Sequence, residues 1–163
     1  PVLLFVNADA AEVTSACQQI PGAWVQFHGD ETPADCLAAT RPGARPYLRA
    51  ARIPLQPGAT FDLLGFVSDV SSAQAILLDA HVEGYGGGGK AFNWSLLPPN
   101  VNAHLVLSGG LNAANVTEGL SALRGRGLSL AVDVSSGVES AKGIKDAEKI
   151  HAFVNAVRLA DAG

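Results

Sequence analysis

The sequence predicts an α/β domain built on a parallel sheet. Six short apolar runs, at residues 2–6, 23–27, 46–51, 75–78, 104–107 and 129–132, lack the polar alternation of half-exposed strands and read as strands buried on both faces. Their starts are 21, 23, 29, 29 and 25 residues apart. Helical patterns fill the intervals, and strand, loop and helix repeated in this way give parallel βαβ units.

Each helical segment has its own signal. Val13, Ala16, Cys17 and Ile20 fall at i, i+3, i+4 and i+7 and form one apolar stripe. Thr32, Pro33 and Asp35 supply an N-cap, a proline at the first helical position and an acid in the first turn. Residues 59–73 carry a weaker stripe of Phe61, Leu64, Val67 and Val70, and Asn112 is placed to cap a helix through Val116, Leu120 and Leu123. Ile150, Phe153, Val154 and Val157 line one face of a last helix over residues 146–159. Residues 80–100 depart from the pattern, with a glycine-rich loop and room for a single helical turn at 94–97.

A doubly wound open sheet and a (β/α)8 barrel both satisfy this pattern. At about 27 residues per unit, eight units would need roughly 217, within the range of barrels. Composition narrows the function classes. With 48% hydrophobic residues, 16% charged and a net charge of −4, the chain reads as one folded domain without linker or low-complexity tract. Eleven basic against fifteen acidic residues, unclustered, argue against a nucleic-acid surface, and no apolar run approaches the ~20 residues of a membrane span. Two cysteines without metal-ligand spacing predict neither zinc nor a disulfide framework, and no secretory signal is recognised, so a cytoplasmic protein without cofactor is expected.

Ligands of parallel α/β folds bind at the carboxyl ends of the strands. Those ends carry Asn7 and Asp9, then His28, Asp30 and Glu31, then Arg49 and Arg52, then Asp79 and His81. The last two are Gly109-Gly110 and Asp133-Val134-Ser135-Ser136-Gly137. Small residues let backbone amides approach an anion, so Gly109, Gly110, Ser135, Ser136 and Gly137 are the expected phosphate site, against the plainer reading of tight turns. Asp79 closes an apolar strand, where a half-desolvated carboxyl serves as a general acid, against the alternative of a turn cap. The glycine run 86–89, with Lys90 and Trp94 behind it, is expected to form a lid and lacks the spacing of a P-loop. His28 and His81 suit either a ligand or a turn. His104 and His151 read as structural, and Cys17 and Cys36 as helix residues without chemistry.

Several strings resemble phosphoribosylanthranilate isomerase. They are Phe5-Val6-Asn7, Val25-Gln26-Phe27-His28-Gly29-Asp30-Glu31, Leu77-Leu78-Asp79-Ala80, the stretch from Gly86 to Lys90 with Phe92-Asn93-Trp94-Ser95-Leu96, and Gly109-Gly110-Leu111. Asp133-Val134-Ser135-Ser136-Gly137-Val138-Glu139 and Gly143-Ile144-Lys145-Asp146 complete the set, in order along the whole chain. The resemblance implies a (β/α)8 barrel of which six parallel βα units are present. It also implies the Amadori rearrangement of N-(5-phosphoribosyl)anthranilate in tryptophan biosynthesis.

It further implies Asp79 as the general acid, and His28, Gly87, Gly89 and Asp133 as substrate-binding residues. The family's general base, a cysteine in a Lys-Ile-Cys-Gly type string, and its carboxylate-binding arginine have no counterpart here. Residues 1–163 are therefore expected to be one barrel domain, N-terminally incomplete by two βα units and nearly inactive alone. The family often has Ala where Ser108 stands. Two other readings are a non-catalytic barrel fragment that binds a phosphorylated ligand or self-associates, and a sister enzyme such as indole-glycerol-phosphate synthase, which Asp79 and the glycine run fit poorly.

Overall fold

The computed structural model describes residues 1–41, 44–56, 59–81 and 93–162. Six parallel strands form one sheet in sequence order: β1 (Val2–Phe5), β2 (Trp24–Phe27), β3 (Tyr47–Pro54), β4 (Ala75–His81), β5 (His104–Leu107) and β6 (Ser129–Val132). A separate antiparallel ribbon, β7 (Glu139–Ala141) with β8 (Ile144–Lys145), follows the last of them. The helices are α1 (Ala10–Gln19), α2 (Pro33–Thr40), α3 (Leu63–Asp69), α4 (Val116–Leu123) and α5 (Ala147–Ala162). No described helix is long and apolar enough to cross a membrane.

The register explains which residues meet. Leu4 pairs with Gln26, Arg52 with Asp79 and Val106 with Ala131, so residues at these levels share the concave face of the sheet. The alternate residues face the helices. Val25, Phe27 and Tyr47 pack with Val13 and Cys17 of α1 and Cys36 and Ala39 of α2. A larger cluster unites Ile76, Leu78, Leu105 and Leu107 with Leu63, Val116, Leu120, Leu123 and Phe153 from α3, α4 and α5. Residues of β3 enter both: Tyr47 the smaller cluster, Ala51 and Ile53 the larger. Each fully buried aliphatic side chain contributes about 1.5–3 kcal/mol.

The helix starts follow local chemistry. Thr32 and Asp35 form a complete capping box at α2, with Pro33 in its first turn, as the sequence predicts. Asp9 caps α1 by accepting from the Glu12 amide.

Four expectations need correction. α3 is shorter than 59–73 and buries Leu63, leaving Leu64 49% exposed, because Asp62 caps it by accepting from the Gly65 amide. α4 begins at Val116, since Asn112 and Asn115 bond each other's stretch: the Asn112 amide donates to Asn115 Oδ1, and Asn112 Oδ1 accepts from the Ala114 amide. β4 runs past Asp79 to His81, paired with a β3 that extends through Arg52 to Pro54. Trp94 lies in a 3₁₀ turn (Trp94–Leu96) and is buried in the larger cluster beside Leu107 and Gly119, so it is core and cannot be part of a lid.

Candidate active site

Parallel strands bring their carboxyl ends to one rim, and the residues just beyond them converge on a cavity of about 290 Å³. Its lining includes Leu4, His28, Asp79, Ser108, Asp133 and the two small-residue loops, Gly109-Gly110 and Ser135-Ser136-Gly137. The expected acid, the expected phosphate loops and two expected substrate contacts thus share one space. Gly87, Gly89 and Lys90 lie outside the described residues.

Asp79 is the best-defined group of the cavity. Its Oδ2 lies 2.8 Å from His28 Nε2, and its Oδ1 accepts from the Ala80 amide at 2.9 Å. Both side chains keep a small accessible fraction, 14% for Asp79 and 17% for His28, so a bound molecule reaches them. His28 Nδ1 is buried without a partner among the described residues. Nε2 is thus the ring nitrogen that has a partner, and that partner is the Asp79 carboxyl. Beyond Asp79, Ser108 donates to Asp133 Oδ2 at 3.0 Å, turning a second carboxylate toward the cavity from β6.

The loops owe their shape to glycine. Gly109 and Gly110 have φ of 74° and 68°, a left-handed conformation that other residues rarely adopt. A Cβ on residue 137 would stand 1.8 Å from the Leu111 carbonyl oxygen, so Gly137 lets the two loops touch. Asn115 Nδ2 donates to the Gly110 carbonyl and braces the first loop. Lys145 Nζ donates to the Ser135 carbonyl at 2.9 Å and to Glu139 at 2.7 Å, placing an ammonium at the edge of the second loop. The Lys145 and Gly143 hydrogen bonds hold the Glu139 carboxyl below its ordinary value.

The remaining strand-end residues are framework. Glu31 and Arg49 are buried outside the cavity, and Arg52 is ion-paired with Asp30. His104 Nδ1 meets Ser129 Oγ at 2.7 Å at the opposite end of the sheet, and His151 is exposed on α5, in keeping with structural roles. His81 ends β4. Cys17 and Cys36 are fully buried under the sheet, and burial pushes the Cys36 thiol up to about 11. No group of side chains suited to a metal occurs among the described residues. The sequence gives no signal for the Ser108–Asp133 bond, which depends on register across β5 and β6.

The fold is that of βα-barrel enzymes, six parallel βα units with a cavity at the carboxyl ends of the strands. The family model described as N-(5'phosphoribosyl)anthranilate (PRA) isomerase matches residues 2–156. An N-(5'-phosphoribosyl)anthranilate isomerase of Leptothrix cholodnii is 62% identical over 162 residues, covering 99% of this chain and 68% of that relative. The crystal structure of phosphoribosyl anthranilate isomerase from Thermus thermophilus superposes with a TM-score of 0.73 at 31% identity, over 99% of this chain and 72% of that one. A phosphoribosyl anthranilate isomerase in complex with reduced 1-(o-carboxyphenylamino)-1-deoxyribulose 5-phosphate gives 0.69 at 28% identity, over 96% and 70%. The chain belongs to the N-(5'-phosphoribosyl)anthranilate isomerase family, enzymes of tryptophan biosynthesis.

Proposed function

We propose that Asp79 is the general acid in the isomerisation of N-(5'-phosphoribosyl)anthranilate, with Gly109, Gly110, Ser135, Ser136 and Gly137 holding its phosphate. The observation that carries this reading is the single cavity lined by Asp79, His28 and both small-residue loops. Proton transfer from the Asp79 carboxyl to the ribose ring oxygen breaks the C1–O bond and leaves a Schiff base. Loss of the C2 proton to a base gives an enolamine, which tautomerises to the aminoketose. The carboxylate that remains after the first step accepts from the Ala80 amide and keeps His28 Nε2 at 2.8 Å, so charge appears where polar partners already stand.

His28 and Asp133 face the same cavity and contact the substrate on this reading, Asp133 held by Ser108. Gly87 and Gly89 are proposed to complete the contacts from the loop after β4. The described strand ends supply no cysteine for the C2 proton, since Cys17 and Cys36 lie on helices behind the sheet. The base is therefore proposed to be a group other than these cysteines, in one barrel domain with the six βα units. The substrate is a small phosphorylated molecule, and a cytoplasmic setting fits it.

Asp79→Asn, made in the chain together with the units that complete the barrel, tests the reading. Isomerisation is expected to fall by ~10²–10⁴-fold, the usual worth of a positioned acid, with substrate binding kept. Unchanged turnover would remove Asp79 from the mechanism. A phosphate analogue found beyond hydrogen-bonding reach of both loops would remove the phosphate assignment.

A further inference from the structure

Two buried charges remain outside this chemistry. Glu31 is 7% exposed and Arg49 6%, and neither lines the cavity. Arg49 stands opposite Phe27 on the helix-facing side of the sheet, where a charge is costly unless satisfied. Their own contact is long, 3.7 Å between Arg49 Nη1 and Glu31 Oε2. Backbone groups partner them instead, all but Arg49 Nε, which is buried without a partner among the described residues. Arg49 Nη1 donates to the carbonyls of Phe27 and Ala50, and Nη2 to those of Gly29 and Glu31, at 2.9–3.2 Å. Glu31 accepts from the Asn7 amide at 2.7 Å through Oε1 and from the Gly29 amide at 2.9 Å through Oε2. The Phe66 ring lies beneath the guanidinium at 5.6 Å.

These bonds bracket one residue. Arg49 grips the carbonyls immediately before and after His28, Glu31 grips the amide after it, and the His28 amide itself donates to the Phe5 carbonyl. The backbone on both sides of His28 is thereby fixed, and with it the direction in which Nε2 meets Asp79. We propose that Glu31 and Arg49 are positioning residues that set the His28 imidazole against Asp79. The proposal rests on the reading of Asp79 as the acid. A guanidinium suits the task because its rigid fork spans two carbonyls per nitrogen, which the point charge of a lysine does not reproduce. Other charged groups facing the pair are Arg52, the β3 register partner of Asp79 held by Asp30, and Asp133 across the cavity from β6.

The test uses ¹⁵N-histidine-labelled chain. The proton shared between His28 Nε2 and Asp79 Oδ2 is expected as a downfield, slowly exchanging resonance, assigned by its loss in Asp79→Ala. Arg49→Met is expected to abolish that resonance or move it upfield, with the circular dichroism of the fold retained. If Arg49→Met does not fold, the double variant Glu31→Gln/Arg49→Met, which leaves no charge unpaired, and Arg49→Lys carry the same readout. In the turnover of the chain with its barrel completed, Arg49→Met is expected to lower kcat on the order of 10- to 100-fold, as a misplaced group does. KM should change less than about twofold, and the variant should cause no further loss of kcat in a His28→Ala background. A retained resonance in a folded Arg49 variant, or additive losses with His28→Ala, overturns the proposal. Full turnover by Asp79→Asn overturns the acid reading instead, and the resonance then decides the positioning by itself.

Discussion

Gly109 and Asp79 compete for the same space: a Cβ on residue 109 would stand 2.4 Å from Oδ1 of Asp79 and 2.5 Å from the Ala80 amide nitrogen. The acid keeps its rotamer because its neighbour in the loop after β5 has no side chain. Gly109→Ala is expected to displace the carboxylate from His28 as well as to force an L-residue to a φ of 74°. The strain alone costs roughly 1–2 kcal/mol. Turnover should fall in kcat more than the thermal midpoint predicts, and the two measured together check this.

Gly137→Ala separates the two loops, since its Cβ would overlap the Leu111 carbonyl. Affinity for inorganic phosphate, measured by calorimetry, should drop at least about tenfold, matching loss of a positioned charge-assisted contact. Gly143→Ala is the control: its φ is also positive, 81°, but nothing lies within 4 Å of the added carbon. It should cost stability and leave phosphate affinity unchanged. Gly110→Val, at a φ of 68°, should weaken substrate binding more than it harms folding.

Cys17→Ser and Cys36→Ser are expected to leave turnover intact while lowering the unfolding midpoint. The Cys36 thiol, pushed up to about 11 by burial, is protonated throughout the neutral range. Alkylation of native protein by iodoacetamide at neutral pH should be slow, and should accelerate only in denaturant. Rapid native alkylation coupled to loss of activity would contradict the buried placement.

Asp35 gives a pH-dependent cap. Its hydrogen bonds from the Thr32 side chain and amide hold its carboxyl below the ordinary 3.8. The folded value lies beneath the unfolded one, so the stabilisation is present above the unfolded value and is lost as pH falls through the folded value. The difference in thermal midpoint between wild type and Asp35→Asn should be constant near neutrality and close as acid protonates the box. A constant difference down to strong acid would show that the charge has no part in it.

The strands were legible because their runs lack polar alternation, and all six lie where the sheet forms; burial on both faces does not hold for the edge strands β1 and β6, where exposed residues alternate with half-buried ones because no strand pairs beyond them. Boundaries were less so. Arg52 and Pro54 look like loop residues, yet backbone pairing to Asp79 and His81 extends β3 over them. The ribbon β7–β8 is too short and too exposed to leave a periodic signal. In the cavity, Asp79, His28 and the glycine loops were visible as strand-end residues, because position along a parallel strand determines which rim a residue joins. Glu31 and Arg49 sit at the same rim in sequence and turn the other way in space. A strand-end charge is assigned to the cavity or the helix side only once register fixes its parity.

The division of the core at β3 puts the two ends of the His28–Asp79 bond on different hydrophobic clusters. The strand leading to His28 is anchored by the smaller cluster with α1 and α2, and that carrying Asp79 by the larger one with α3, α4 and α5, with Ala73 touching both. Proteins open sub-globally over a range of free energies, and the smaller cluster is expected to open first in hydrogen exchange. Sub-global opening of β1, β2, α1 and α2 takes His28 from the acid while β4, β5 and β6 still hold their amides. Function and fold then have different melting points: warming should extinguish the pair before the sheet that carries Asp79 comes apart.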